Sequence, residues 1–119
     1  MSSPTQRSLA YIRKEWPEAV CAIVERWNPY AKVRQDLFGF IDILVCLRHQ
    51  VIAIQTTSDS NVAARVAKIE ATPAAAIWLQ SPTRRIVVHG WAKKGPRGKR
   101  KVWTLREVEV GNSVDKTNT

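Results

Sequence analysis

The sequence predicts a mixed α/β domain in which helices pack on one mixed β-sheet. Three observations point there. Two stretches carry apolar residues at helical spacing, β-branched apolar runs lie between and after them, and Pro, Gly and Asn/Ser/Asp clusters punctuate the boundaries. With 119 residues, 45% of them apolar and 24% charged, the chain has the size of one domain and enough apolar surface for a core. Residues 1–110 are read as a single domain and the polar residues 111–119 as a disordered tail. The expected element order is α-βββ-α-βββ, with no internal repeat.

Ser3, Pro4 and Gln6 form a helix start, with Ser as N-cap, Pro at the first helical position and Gln closing a capping box. Leu9, Ile12 and Trp16 continue at helical spacing until Pro17 stops the run. Residues 19–27 read as a strand, and Asn28-Pro29 opens a loop. Residues 40–47 form a second, buried strand interrupted by Asp42. Arg48-His49-Gln50 turns the chain into a partner strand over residues 51–57. Ser58, Asp59 and Ser60 offer caps for a helix over residues 61–71. Its apolar stripe is Val62, Val66 and Ile69, and its polar stripe is Asn61, Arg65 and Lys68. Thr72-Pro73 ends it. Residues 75–79 and 85–91 read as two strands around Ser81-Pro82, and residues 102–110 alternate as a last strand. Trp16, Trp27 and Trp78 are expected in the core. Trp91 and Trp103 are read as packing residues flanking a loop, with base stacking as the alternative.

Composition excludes several classes. No apolar run reaches the roughly 18 residues of a transmembrane helix, and the N-terminal residues lack the order of a secretory signal. Cys21 and Cys46 lie in strand-like runs and are read as reduced core residues. Metal-binding C-x-x-C or H-E-x-x-H, phosphate-cradling Gly-rich and G-x-S-x-G motifs are absent from the sequence. A cytoplasmic protein without membrane partners is the expectation. The net charge of +9 is unevenly placed: residues 71–106 carry nine Lys and Arg and no acid. Lys93, Lys94, Arg97, Lys99, Arg100 and Lys101 crowd one Gly/Pro-containing loop. Such crowding repels unless an anion neutralises it, so nucleic acid is the first partner to consider.

The informative polar residues lie where core strands should be apolar. Asp42 interrupts one strand, and Gln55 and Thr57 interrupt the next, two apart and therefore on one face. The short hairpin between these strands places Asp42 beside Gln55. A buried carboxylate needs a partner or a cation, because an unpaired one costs several kcal/mol.

Gly39-Phe40-Ile41-Asp42, the hairpin, Val51 to Ser58 and the helix after it resemble the core of the PD-(D/E)XK nuclease superfamily. Within it the similarity is to small Holliday-junction resolvase-type and phage nucleases. The resemblance implies an αβββαβ restriction-endonuclease-like core, here with a C-terminal β extension and the basic loop. It implies a metal-dependent, structure-selective, resolvase-like endonuclease acting on nucleic acid, DNA favoured over RNA, as a homodimer with Mg²⁺ or Mn²⁺. Residue by residue, Asp42 matches the first metal-binding Asp and Gln55 the second acidic ligand. The Thr56 carbonyl matches a backbone ligand, and Thr57 stands where the catalytic Lys belongs. Arg34 resembles a basic residue placed near the scissile phosphate. Gln55 and Thr57 depart from the acid-x-Lys pattern. The resemblance lets Lys68 on the following helix replace the strand Lys, with Arg65 next, and lets Glu25 or Asp36 restore the ligand charge that Gln55 lacks. His89 is either a proton-transfer group or, as read here, a hydrogen-bonded structural residue. Two other functions remain open from the sequence. One is a non-catalytic nucleic-acid-binding module on a degenerate nuclease fold. The other is a basic structural or ribosome-associated protein, which would have no need of a buried Asp42.

Overall fold

A computed structural model describes residues 3–111. The predicted tail, 111–119, lies outside the described residues except for Gly111. The elements are α1 (Pro4–Glu15), β1 (Val20–Ile23), β2 (Arg26–Asn28), β3 (Val33–Gln35), β4 (Ile43–Cys46), β5 (Val51–Ser58), α2 (Val62–Glu70), α3 (Pro73–Trp78), β6 (Arg84–Lys94) and β7 (Val102–Val110). A 3-10 turn at Asp59–Asn61 leads into α2. The expected α/β class is correct: five strands form a mixed sheet in the order β1-β4-β5-β6-β7, and β2-β3 form a separate ribbon. β5 and β6 run parallel, and the other neighbouring pairs are antiparallel.

The sheet is a middle layer. Alternation along β5 sends Ile52 and Ile54 toward α1, where they pack with Leu9 and Ile12, while Ala53 faces Val62, Ile69 and Ala75 of α2 and α3. β6 repeats the pattern, with Val87 on the α1 side and Ile86 and Val88 on the other. Both faces are covered, so these strands read as continuous apolar runs. Ser3 caps α1 as expected, its Oγ accepting from Gln6 N–H at 3.2 Å. Ser8 and His89 lock α1 to β6: Ser8 Oγ accepts from Trp91 Nε1–H at 2.8 Å and stands 2.9 Å from His89 Nδ1. The Ser8 hydroxyl proton is then free to go to His89, leaving the ring proton on Nε2 toward Glu107, 3.3 Å away. Burial holds the His89 pKa below its usual value, against the pull of Glu107. The structural reading of His89 fits this fully buried setting.

The structure corrects several local expectations. Residues 75–79 are helical, within α3, not a strand. Pro73 pre-sets the first helical φ and three alanines follow, which outweighs a short apolar run whose period is ambiguous. The single strand expected over residues 19–27 is two, because the chain leaves the sheet after Val24 and Arg26–Asn28 pair with β3 instead. β3 was not expected at all: its three residues are exposed, so it has no buried face and no apolar period. The Ser58, Asp59 and Ser60 side chains do not cap α2, which is entered through the 3-10 turn. Trp27 is 54% exposed and is not a core residue, while Trp78 packs partly buried against the α2-side core. Lys93 and Lys94 belong to β6, so the basic connection proper spans residues 95–101.

Gly90 sets how closely this entry to α2 approaches β6. A Cβ there would collide with Val62 Cγ2 and stand 3.1 Å from Asp59 Cα. Val62 is buried and β-branched and cannot swing away. Gly90→Ala is expected to destabilise the protein by about 1–3 kcal/mol, read as a lower urea midpoint at unchanged m-value.

Candidate metal centre

The site grows out of strand register. Ile43 pairs with Ile54, so one step further along the antiparallel ladder Asp42 stands opposite Gln55. Backbone bonds hold Asp42 on both sides, its N–H donating to Ile54 O and its carbonyl accepting from Val24 N–H, each at 2.8 Å. The next residue after Val24 is Glu25, at the point where the chain departs into β2. Asp36 follows β3 and is brought back by a turn in which Gly39 N–H donates to its carbonyl at 3.0 Å. That turn holds Phe38 at φ +55° and Gly39 at +85°. A bulky residue in the left-handed region costs about 1–3 kcal/mol and persists where surrounding bonds over-determine it.

Three chain segments thus deliver carboxylates to one point. Ligand oxygens of Glu25, Asp36 and Asp42 all lie within 4.8 Å of one another. Asp42 is 3% exposed and the other two are half-buried. Its Oδ2 accepts from Thr56 N–H at 2.7 Å, from Thr56 Oγ1–H at 3.2 Å and from Gln55 Nε2–H at 2.9 Å. Gln55 Nε2 also donates to Asp36 Oδ2 at 2.8 Å, so one amide bridges two acids. The Thr56 hydroxyl is tied in turn to the Thr5 hydroxyl of α1, 2.8 Å away.

Electrostatics separates the two aspartates. Burial pushes the Asp42 carboxyl up to about 8, with its hydrogen bond to Asp36 adding to the rise against the Thr56 N–H and Gln55 amide. For Asp36 burial also works upward, but hydrogen bonds from Asp42 and Gln55 and the charges of Lys68 and Arg65 prevail and hold it below the usual range. At neutral pH the pair therefore keeps one proton, carried by Asp42.

The three acids floor a cleft of about 550 Å³. Arg34, Arg65 and Lys68 line it together with the first turn of α1 (Ser3 to Gln6) and with Thr56, Thr57 and Ser58 at the end of β5. Of the residues expected at the site, Asp42, Thr56, Thr57, Glu25, Asp36, Arg34, Arg65 and Lys68 all line this cleft, and Gln55 lies under it. Glu25 and Asp36, alternatives in the sequence, both arrive. Thr56, whose carbonyl the resemblance makes a backbone metal ligand, also meets Asp42 through its N–H and hydroxyl. Thr57 is buried and brings no charge. The α1 wall was not foreseen, although its Ser-Pro start was legible as a helix beginning. The basic residues 93–101 lie beyond Trp91, which pairs with Ser58, so they extend from the same end of the sheet as the cleft. There Trp103 is covered by the Arg7 guanidinium, 3.5 Å from its ring centroid, with Lys93 Nζ at 5.4 Å.

The donor set suits a hard divalent cation. All its ligand atoms are oxygens, and Gln55 Oε1 is buried with no hydrogen-bond partner. Exchanging the amide's O and N would turn that orphaned acceptor toward the acids, an orientation that a cation between them would favour. Carboxylate oxygens within 4.8 Å of one another are close enough to share one such ion, whose oxygen ligands lie at about 2.0–2.6 Å from it. Comparison of the chain with protein-family models, with curated proteins and with solved structures finds no match. No helix among the described residues is long and apolar enough to cross a membrane.

Proposed function

We propose that the protein is a divalent-metal-dependent endonuclease of PD-(D/E)XK type, hydrolysing phosphodiester bonds in nucleic acid, DNA in preference to RNA. The observation that carries the reading is the convergence of Glu25, Asp36 and Asp42 in a cleft that Arg34, Arg65 and Lys68 also line. Carboxylates alone would repel a phosphodiester, and cations alone would only bind it. The combination suits a negatively charged substrate processed at a metal centre. The order helix, antiparallel strands, helix, parallel strand supports the resemblance that the sequence suggests.

Glu25, Asp36 and Asp42 would hold Mg²⁺ or Mn²⁺, with the Gln55 carbonyl oxygen as a neutral fourth donor. A cation bound there supplies polarisation of the phosphate and a more acidic water. Lys68 stabilises charge developing on the phosphate, Arg65 and Arg34 orient it, and the basic residues 93–101 grip the backbone further along. Cutting paired strands needs two such clefts, so the acting form we propose is a homodimer. A cleavage panel of linear duplex, single strand, flap and four-way junction, each with Mg²⁺, Mn²⁺ or EDTA, tests the reading. Metal-dependent cleavage of at least one substrate is expected, and cleavage of none in either metal overturns it.

Lys68→Ala separates the role of this lysine from plain binding. Turnover is expected to fall about a hundredfold with substrate affinity changed little, the pattern of a group acting in the transition state. Weaker binding at unchanged turnover would make Lys68 a phosphate contact only.

One observation favours a second reading, a nucleic-acid-binding module without catalysis. The Gln55 amide and one proton already satisfy the Asp36–Asp42 pair without a cation. Cation titration by calorimetry distinguishes the two, since this module would show no heat of binding at the acids.

A further inference from the structure

The ribbon β2–β3 pairs with no other strand among the described residues, yet it is tied to the site at both ends. Glu25 immediately precedes it and Asp36 immediately follows it. Its tip is shaped by Asn28, whose Oδ1 accepts from Tyr30 N–H at 2.9 Å and Ala31 N–H at 3.1 Å, and whose carbonyl accepts from Lys32 N–H at 2.7 Å. The turn presents Tyr30 with 96% of its surface exposed, and Trp27 is 54% exposed beside it. Rings so exposed contribute little to the core. Both border a shallow cleft of about 330 Å³, at the low end of ligand-sized sites.

Trp27 is the cross-strand partner of Arg34, so the two side chains leave the same face of the ribbon. Arg34 reaches the carboxylate cleft, which places Trp27 on the face continuous with it. The ribbon, residues 26–35, carries Arg26, Lys32 and Arg34 and no acid. Exposed aromatic rings interleaved with cations are the combination that binds unstacked bases along with their phosphates. A purely apolar protein partner would not call for three cations, and a duplex keeps its base faces inside the stack.

We propose that the β2–β3 ribbon is an arm that binds unpaired nucleotides, stacking bases on Trp27 and Tyr30 and passing the adjoining backbone by way of Arg34 into the cleft. The inference rests on the nuclease reading for the purpose of the arm and names its substrate class: strands with unpaired segments next to the cut.

The test measures binding without cleavage. Fluorescence anisotropy in EDTA compares a labelled oligothymidylate with a labelled linear duplex, for the parent, Trp27→Ala, Tyr30→Ala, the double variant and Trp27→Phe. Each Ala change is expected to weaken single-strand binding about tenfold and the double change on the order of a hundredfold, with duplex affinity moved less than about twofold. Trp27→Phe keeps an aromatic face and should recover most of the loss. Changing Lys99, Arg100 and Lys101 to Ala should instead weaken both ligands and flatten the salt dependence. Unchanged single-strand affinity in the double variant, or equal losses on both ligands, overturns the arm. So does a parent that sediments as a dimer and becomes monomeric in Trp27→Ala, which would make the ribbon a contact for a second copy. A parent that cleaves nothing but shows the predicted single-strand losses leaves the arm standing and sinks the nuclease reading alone.

Discussion

Asp42→Asn is expected to lower cleavage at least about a thousandfold while leaving the fold intact, as follows when several kcal/mol of metal-based stabilisation is withdrawn. The structure explains why the fold survives. Asn Oδ1 can take the place of Oδ2 and accept from Thr56 and Gln55, while its NH₂ faces Asp36 as the proton of Asp42 now does. Asn thus mimics the protonated acid. The same substitution carries a pH signature. The folded-state pKa of Asp42 is raised to about 8 from 3.8, so between these values the folded protein holds a proton that the unfolded chain has released. Its contribution is fully present below the lower value and is lost as pH rises through the upper one. Metal-free parent should lose stability as pH climbs from about 6 to about 9, and Asp42→Asn should lose much less over that window. Asp36, shifted the other way, contributes no slope there. Urea unfolding in EDTA across this range, with cleavage assays beside it, checks both halves. A parent-like cleavage rate in Asp42→Asn would place the chemistry elsewhere.

Gln55→Glu is expected to make folding depend on a cation. The amide that bridges Asp36 and Asp42 at 2.8 and 2.9 Å would become an acid pressed against two others, with Glu25 close by. Without metal the variant should be about 3 kcal/mol less stable than the parent, the scale of an uncompensated buried charge. Saturating Mg²⁺ or Mn²⁺ should return much of that, with about 2.7 kcal/mol regained at a hundredfold excess over Kd. The measurement is the difference in urea midpoint between EDTA and metal, which should be larger than the parent's. An equal difference in both proteins would put Gln55 outside the reach of any cation.

Much of this centre was legible before the structure, for a physical reason. Asp42, Gln55 and Thr57 stood out because β-branched runs covered on both faces leave few polar positions, and those few are conspicuous. The hairpin register followed from the short turn at residues 48–50, so the meeting of Asp42 and Gln55 could be anticipated. Glu25 and Asp36 could be nominated but not chosen between, because their positions depend on the β2–β3 ribbon, and an exposed ribbon has no apolar period to read. α3 was missed where alanines after Pro73 made a helix of a run too short to show its period. Trp27 was misplaced because a ring count does not separate a core tryptophan from a solvent-facing one.

The lock between Ser8 and His89 spans 81 residues of sequence. During synthesis α1 leaves the ribosome long before β6 exists, and at about 5–20 residues per second it waits roughly four to sixteen seconds for its partner. Until then α1 can meet only the strands already made, through Thr5 and Thr56, and its Ser8 hydroxyl lacks both of its β6 partners. A chain released before β6 is made would carry every residue that lines the cleft, Ser3 to Lys68, on a sheet missing its parallel strand and the anchor of α1.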